Sequence, residues 1–242
     1  MIDAKSNEVL WVEKYRPQIV EDTILPDKTK ETFRKFVSDG SVPNLLLTGG
    51  PGVGKTTIAK AMLEELGCDY IVKNGSLNVN IDTLRYDIST FASAVSLTGT
   101  GRKYVIFDEA DYLNAANVQP ALRNFIEEYS ANCGFIFTCN FKNRIISPLR
   151  SRLSEVDFSI EQTERPALAM QFFKRVINIL DNENVDYEKA VVAKVIEKHF
   201  PDFRRVLTEL QSYAASGKID EGIFVNLKQE SIDELFNLLK SK

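Results

Sequence analysis

Eight consecutive residues, Gly49-Gly50-Pro51-Gly52-Val53-Gly54-Lys55-Thr56, restrict the possible folds of this chain more than any other feature. They fit G-x-x-x-x-G-K-[ST] and lie between a short apolar run, 44–48, and an amphipathic stretch, 56–66, that ends at Gly67. A strand, a glycine-rich turn and a helix in that order make a cradle for phosphate. The glycines let backbone N–H groups turn inward, and the helix N-terminus adds its partial positive charge. The Lys55 ammonium reaches the β and γ phosphates, and the Thr56 hydroxyl is placed for Mg²⁺. The expectation is a nucleoside-triphosphate site on a parallel α/β sheet.

The rest of the first two thirds repeats the alternation of short apolar runs with amphipathic stretches, as a helix-covered parallel sheet requires. Strands are expected at 44–48, 69–73, 103–108, 134–138 and 155–158, and helices at 28–39, 56–66, 81–96 and 120–129. Pro120 falls in the first turn of the last of these, where a missing N–H does no harm. Beyond Phe158 the strand signals stop, and 165–180, 187–199 and 203–216 carry apolar faces of period 3.6. The predicted fold class is α/β: a parallel five-stranded sheet flanked by helices over 1–159, then a small all-α domain over 160–226. Residues 227–242 read as the start of a C-terminal helix, with Ile232, Leu235, Phe236 and Leu239 on one side.

Net charge and cysteine usage narrow the classes further. The formal charge is −4, so there is no global positive field, and contact with nucleic acid must come from a local patch. Cys68, Cys133 and Cys139 are odd in number and lack CxxC spacing, and His199 is the single histidine. Neither a zinc site nor a disulfide framework fits, which indicates a reducing, cytoplasmic setting. The opening Met-Ile-Asp-Ala-Lys has no apolar core, and no run approaches the ~18 apolar residues of a membrane span. No membrane partner is expected.

Tyr104-Val105-Ile106-Phe107-Asp108-Glu109 is an apolar strand ending in two acids, and ligands of open α/β sheets bind at strand C-termini. Asp108 is the expected second protein ligand of Mg²⁺, beside Thr56. Glu109 is the natural base or orienter of the attacking water, because phosphoryl transfer rests on positioning and charge neutralisation. Asp108-Glu109-Ala110-Asp111 also spells a helicase signature. Such a helicase needs a second nucleotide-binding sheet and a downstream Ser-Ala-Thr, where this chain has Thr138-Cys139-Asn140. No Asn-Lys-x-Asp sequence is present to read guanine. Asn140 follows the run 135–138, so its amide either sits between the γ phosphate and water or makes a turn.

Together these motifs resemble the AAA+ ATPases and, within them, the subunits of sliding-clamp loaders. Trp11-Val12-Glu13-Lys14-Tyr15-Arg16-Pro17 is similar to the box that packs around adenine in that family, which implies ATP. The resemblance assigns ATP contacts to Trp11, Val12, Tyr15, Arg16, Pro17, Gly50, Pro51, Gly52, Val53, Gly54, Lys55, Thr56, Thr57 and Arg204. Asn140 is similar to sensor 1. Pro148-Leu149-Arg150-Ser151-Arg152 resembles the Ser-Arg-Cys motif, with Leu153 in place of the cysteine, and implies that Arg152 reaches a neighbouring subunit's ATP. Pro201-Asp202-Phe203-Arg204-Arg205 resembles sensor 2, and the helix start favours Arg204 over Arg205 for the γ phosphate. The implied catalytic set is Lys55, Asp108, Glu109, Asn140, Arg152 and Arg204.

Phe91-Ala92-Ser93-Ala94, Glu127-Glu128-Tyr129-Ser130-Ala131-Asn132-Cys133 and Phe200-Pro201-Asp202-Phe203-Arg204 look most like the large ATPase subunit of T-even-type bacteriophage loaders. The implied partners are other loader subunits in a ring (a hetero-pentamer), a sliding clamp and primer–template DNA, in the host cytoplasm if the gene is a phage's. The zinc module of bacterial loaders is absent, and the family's collar is expected to be missing or truncated after residue 242. Candidates for DNA contact are Asn80 and Arg85, at a helix N-terminus, and Arg123; each arginine reads equally as a solvated residue on an amphipathic helix. Leu97 corresponds to the clamp-contacting tip, whereas Phe91 reads as core. Two alternatives stay open: another AAA+ DNA motor or initiator, and a non-hydrolysing AAA+ scaffold.

Overall fold

Runs of apolar residues too short to form helices can bury both faces only inside a sheet that carries helices on each side. The computed structural model of the chain takes that solution. It describes residues 10–77, 81–94, 102–215 and 217–221. These form two compact units: residues 17–164, and residues up to Arg16 together with those from Arg165.

A short helix, α1 (Trp11–Lys14), precedes the sheet unit. That unit then runs α2 (Asp27–Ser38), β1 (Leu45–Thr48), α3 (Lys55–Glu65), β2 (Tyr70–Asn74), α4 (Ile81–Ser93), β3 (Lys103–Asp108), α5 (Val118–Glu128), β4 (Cys133–Cys139), α6 (Ser147–Arg150) and β5 (Ser154–Asp157). The five strands pair in parallel in the order β2-β3-β4-β1-β5. β1 thus lies between two strands that come much later in the chain. Its last residue, Thr48, is level with Cys139 of β4 and Asp157 of β5, and Phe107 of β3 is level with Phe137 of β4. The segments leaving β1, β3 and β4 therefore emerge at one edge, at the switch in strand order where open sheets bind ligands.

Alternation along the strands divides the core into two layers. Val105, Phe107, Phe135 and Phe137 meet Leu84 and Ile88 of α4 and Leu122, Phe125 and Ile126 of α5, with Phe107 and Phe137 stacked at 5.0 Å. Leu45, Leu47, Tyr104, Ile106 and Ile136 face the other way, onto Phe33 of α2, Phe158, and Ile58, Met62 and Leu63 of α3. Phe91 is half-buried against the first layer, as expected of a core-facing residue.

In the second unit, α7 (Arg165–Asn182), α8 (Lys189–His199) and α9 (Phe203–Ala214) bury residues three or four apart. Leu168, Phe172, Val176 and Ile179 come from α7, Val192, Val195 and Ile196 from α8, and Val206 and Leu210 from α9. A parallel pairing of β6 (Asp186–Tyr187) with β7 (Lys218–Ile219) is added to the expected helices. Two-residue strands are too short to leave a period in sequence. The stretch before Pro17, expected with the sheet, packs here instead: Trp11 is buried and its N–H donates to Gln211 Oε1 at 3.0 Å. Chain order alone does not tell which unit a segment this short joins. Asn80, Leu97 and the helix expected at 230–239 lie outside the described residues. Among the described residues no helix is long and apolar enough to cross a membrane.

Candidate functional site

Gly54 caps α3 with φ +94, a left-handed conformation that costs an L residue about 1–2 kcal/mol. The turn places Lys55, Thr56 and Thr57 at the first three helical positions, with no acid in that turn to compete for an anion. Lys55 is buried, and its ammonium donates to the carbonyls of Gly49 at 2.8 Å and Gly50 at 2.6 Å and to Asn140 Oδ1 at 2.9 Å. The segment after β4 is therefore joined to the glycine loop by Asn140.

At the end of β3, Asp108 Oδ1 accepts the Thr56 hydroxyl at 2.6 Å and the Thr138 hydroxyl at 2.5 Å. A carboxylate beside a hydroxyl is a hard oxygen set of the kind Mg²⁺ takes, so Thr56 and Asp108 fit the metal that nucleotide chemistry implies. Glu109, next in sequence, has φ +54. That backbone is uncommon for a residue with a side chain, and where it persists its surroundings enforce it. One constraint is the Glu109 N–H, which donates to Thr138 Oγ1 at 3.2 Å. Another is Gly75, whose N–H donates to the Asp108 carbonyl at 2.7 Å. A Cβ at Gly75 would lie 2.5 Å from the Glu109 carbonyl oxygen, a backbone atom with little freedom to give way. Gly75→Ala is therefore expected to displace Glu109 and lower ATP turnover roughly tenfold or more while nucleotide affinity changes little. Steady-state turnover beside equilibrium binding checks this, and unchanged turnover would refute it.

The sheet unit thus gathers Lys55, Thr56, Asp108, Glu109 and Asn140 at one strand edge. Sequence reading missed Thr138, Gly75 and Gln119. Gln119 is fully buried; its Nε2 donates to the carbonyls of Leu113 and Arg144, both at 3.0 Å, and its Oε1 accepts the Ile146 N–H at 2.8 Å. It ties the turn after Glu109 to the segment after Asn140. The available signals were a hydroxyl at the end of an otherwise apolar buried strand and a glutamine on the apolar stripe of α5.

Arg152 follows α6 and bonds within its own unit. Its Nε donates to Glu127 Oε1 at 2.8 Å, Nη2 to the same oxygen, and Nη1 to the Pro148 carbonyl at 2.7 Å. Arg85 is exposed on α4 with its guanidinium 5.8 Å from the Phe125 ring centre, and Arg123 on α5 donates to Asn124 Oδ1 at 3.2 Å.

In the other unit, Arg204 and Arg205 occupy the first turn of α9, both exposed, while Phe203 packs against Phe172 and Phe200. Asp202 caps the helix by accepting the Arg205 N–H at 2.9 Å. Cations in a helix's first turn oppose its dipole, an arrangement that suits an end facing an anion. Nearer the N-terminus, Lys14 Nζ and Tyr15 Oη donate to Glu183 Oε1 at 2.7 and 2.6 Å, and Arg16 pairs with Glu13. Burial, aided by the bond to Glu183, pushes the Tyr15 phenol up to about 12. Val12 of this unit is half-buried, as is Pro17 at the start of the sheet unit.

Two family models match in succession: "ATPase family associated with various cellular activities (AAA)" over residues 45–163, and "Sliding-clamp-loader large subunit, AAA+ ATPase lid domain" over 164–225. The sliding-clamp-loader large subunit of Escherichia phage RB69 is 37% identical over 248 residues, which take in 100% of this chain and 77% of that protein. Its counterpart in Enterobacteria phage T4 is 38% identical with the same coverage. Among solved structures, the Thermotoga maritima RuvB Holliday junction branch migration motor superposes with a TM-score of 0.64 at 18% identity, over 87% of this chain and 71% of that one. At that identity the likeness concerns the fold alone.

Proposed function

The chain belongs to the sliding-clamp-loader large-subunit family of AAA+ ATPases, and on that premise we propose how its residues convert ATP hydrolysis into clamp loading. It is an ATP hydrolase and a subunit of the multi-subunit loader that acts on a sliding clamp in DNA replication. The observation that carries the mechanism is the convergence of Lys55, Thr56, Asp108 and Asn140 from three different strand ends.

The loop N–H groups and Lys55 hold the triphosphate, with Lys55 drawn from its carbonyl acceptors toward the β and γ phosphates. Thr56 and Asp108 hold Mg²⁺, which when bound neutralises charge on the phosphate oxygens. Glu109 orients the attacking water and takes its proton, while Asn140 fixes the water relative to Lys55. Arg204 completes the site in cis at the γ phosphate. Arg152 completes a neighbouring subunit's site in trans, so hydrolysis waits on assembly. Trp11, Val12, Tyr15, Arg16 and Pro17 enclose adenine.

In the cycle we assign, ATP binding orders a hetero-pentameric ring that opens the clamp, primer–template DNA completes the sites, and hydrolysis releases the clamp in the host cytoplasm. Arg85 and Arg123 are the DNA contacts within the described residues. The test is ATP turnover by the assembled loader, measured alone, with clamp, with primed DNA and with both. Stimulation well beyond either ligand alone is expected when both are present, and turnover indifferent to the pair would overturn the assignment. Asn140, which accepts from Lys55, and Glu109, next in sequence to the Asp108 that accepts the Thr56 hydroxyl, favour this reading over a non-hydrolysing scaffold.

A further inference from the structure

We propose that Thr138, a residue outside every motif that defines the site, is the positioning residue that aligns the metal-binding carboxylate and the water-activating acid together. The proposal rests on the reading of Asp108 and Glu109 given above. Thr138 is the penultimate residue of β4, level with Leu47 of β1, and is only 1% exposed. A lone hydroxyl in a strand of fully buried residues is costly unless both its donor and its acceptor capacity are used. Both are used, on consecutive residues of one neighbour: the hydrogen goes to Asp108 Oδ1 at 2.5 Å, and a lone pair receives the Glu109 N–H at 3.2 Å.

Two consequences follow from this geometry. Asp108 Oδ1 accepts Thr138 from β4 and Thr56 from α3, so the carboxylate is braced by two different elements and its rotamer is fixed before any cation arrives. Glu109 is held at φ +54 by the same hydroxyl, because releasing its N–H would leave a donor unpaired and let the backbone relax toward an ordinary conformation. Thr138 therefore acts through Asp108 and Glu109 and touches no substrate. Valine matches threonine in shape and favours strands, so the hydroxyl is present for these two bonds.

The test compares Thr138→Val, Thr138→Ala and Thr138→Ser in the full chain, with Asp108→Asn as reference. Binding of a fluorescent ATP analogue is titrated against Mg²⁺, and turnover is measured in the assembled loader. Val and Ala variants are expected to need roughly ten times more Mg²⁺ for half-maximal effect and to lose roughly ten- to a hundredfold in turnover. Their Mg²⁺-independent nucleotide affinity, set by Lys55 and the loop, stays unchanged. The Ser variant keeps the hydroxyl and behaves within a few-fold of the natural chain. Unshifted Mg²⁺ dependence in Val and Ala, or a Ser variant as impaired as Val, would show that Thr138 only fills space and would overturn the proposal. If Asp108→Asn also leaves the Mg²⁺ dependence unshifted, the fault lies in the assignment of Asp108. If Val does not fold, Ala and Ser decide the question alone.

Discussion

Glu109→Gln is expected to bind ATP with natural affinity and to turn it over roughly 10²–10⁴ times more slowly. Glutamine has the shape of glutamate and leaves untouched the backbone contacts that hold this residue, namely the Thr138 hydroxyl on its N–H and the close approach of Gly75. It cannot accept a proton from water. The groups that hold phosphate, Lys55 at the start of α3 and the loop between β1 and α3, are unaffected. Filter binding of labelled ATP beside single-turnover hydrolysis separates the two quantities. Near-normal hydrolysis by this variant would mean that another group activates the water. Loss of binding in step with turnover would mean that Glu109 holds the loop and does not do chemistry.

Arg152→Ala is expected to cost the assembled loader on the order of 10³–10⁵ in turnover, about 4–7 kcal/mol of transition-state stabilisation. The isolated chain, by contrast, should hydrolyse ATP slowly and equally well with or without Arg152. The present bonds of Arg152 do not stand in the way of that role. Its pair with Glu127 is partly exposed on both sides, with side-chain exposures of 32% and 59%, and such pairs contribute about 1 kcal/mol or less. A developing phosphoryl charge in a closed interface outweighs such a pair several-fold. On the proposed trans assignment, Glu127 would hold the guanidinium at the edge of its own unit until assembly draws it away. A monomeric preparation that hydrolyses ATP quickly, and loses nothing on removal of Arg152, would sink the trans assignment.

Both predictions depend on residues that can be found by reading along the chain, since the features that reveal them are contiguous. Gly49 to Thr56 announces itself because a phosphate loop needs its glycines, lysine and hydroxyl at fixed offsets between strand and helix. Asp108 and Glu109 end an unbroken apolar run, and Arg152 and Arg204 sit in short motifs at helix ends. The five-stranded parallel sheet followed from the alternation of short apolar runs with amphipathic stretches, and the three helices from Arg165 onward from their period of 3.6, to within a few residues at each boundary.

What only the tertiary structure decided is which of these segments meet. β4 lies between β1 and β3, although the linear order places it after both, and that crossover brings Asn140 to Lys55 and Thr138 to Asp108. Gly75 and Gln119 were invisible for the same reason: each matters through a backbone group, the Glu109 carbonyl or the Arg144 carbonyl, that lies 34 or 25 positions away. The stretch Trp11–Arg16 joined the helical unit through Gln211, 200 residues beyond Trp11, and Glu183, 169 beyond Lys14. Local spacing encodes what a residue can do to a phosphate. Its partners are set by strand order and burial, which depend on the whole chain closing at once.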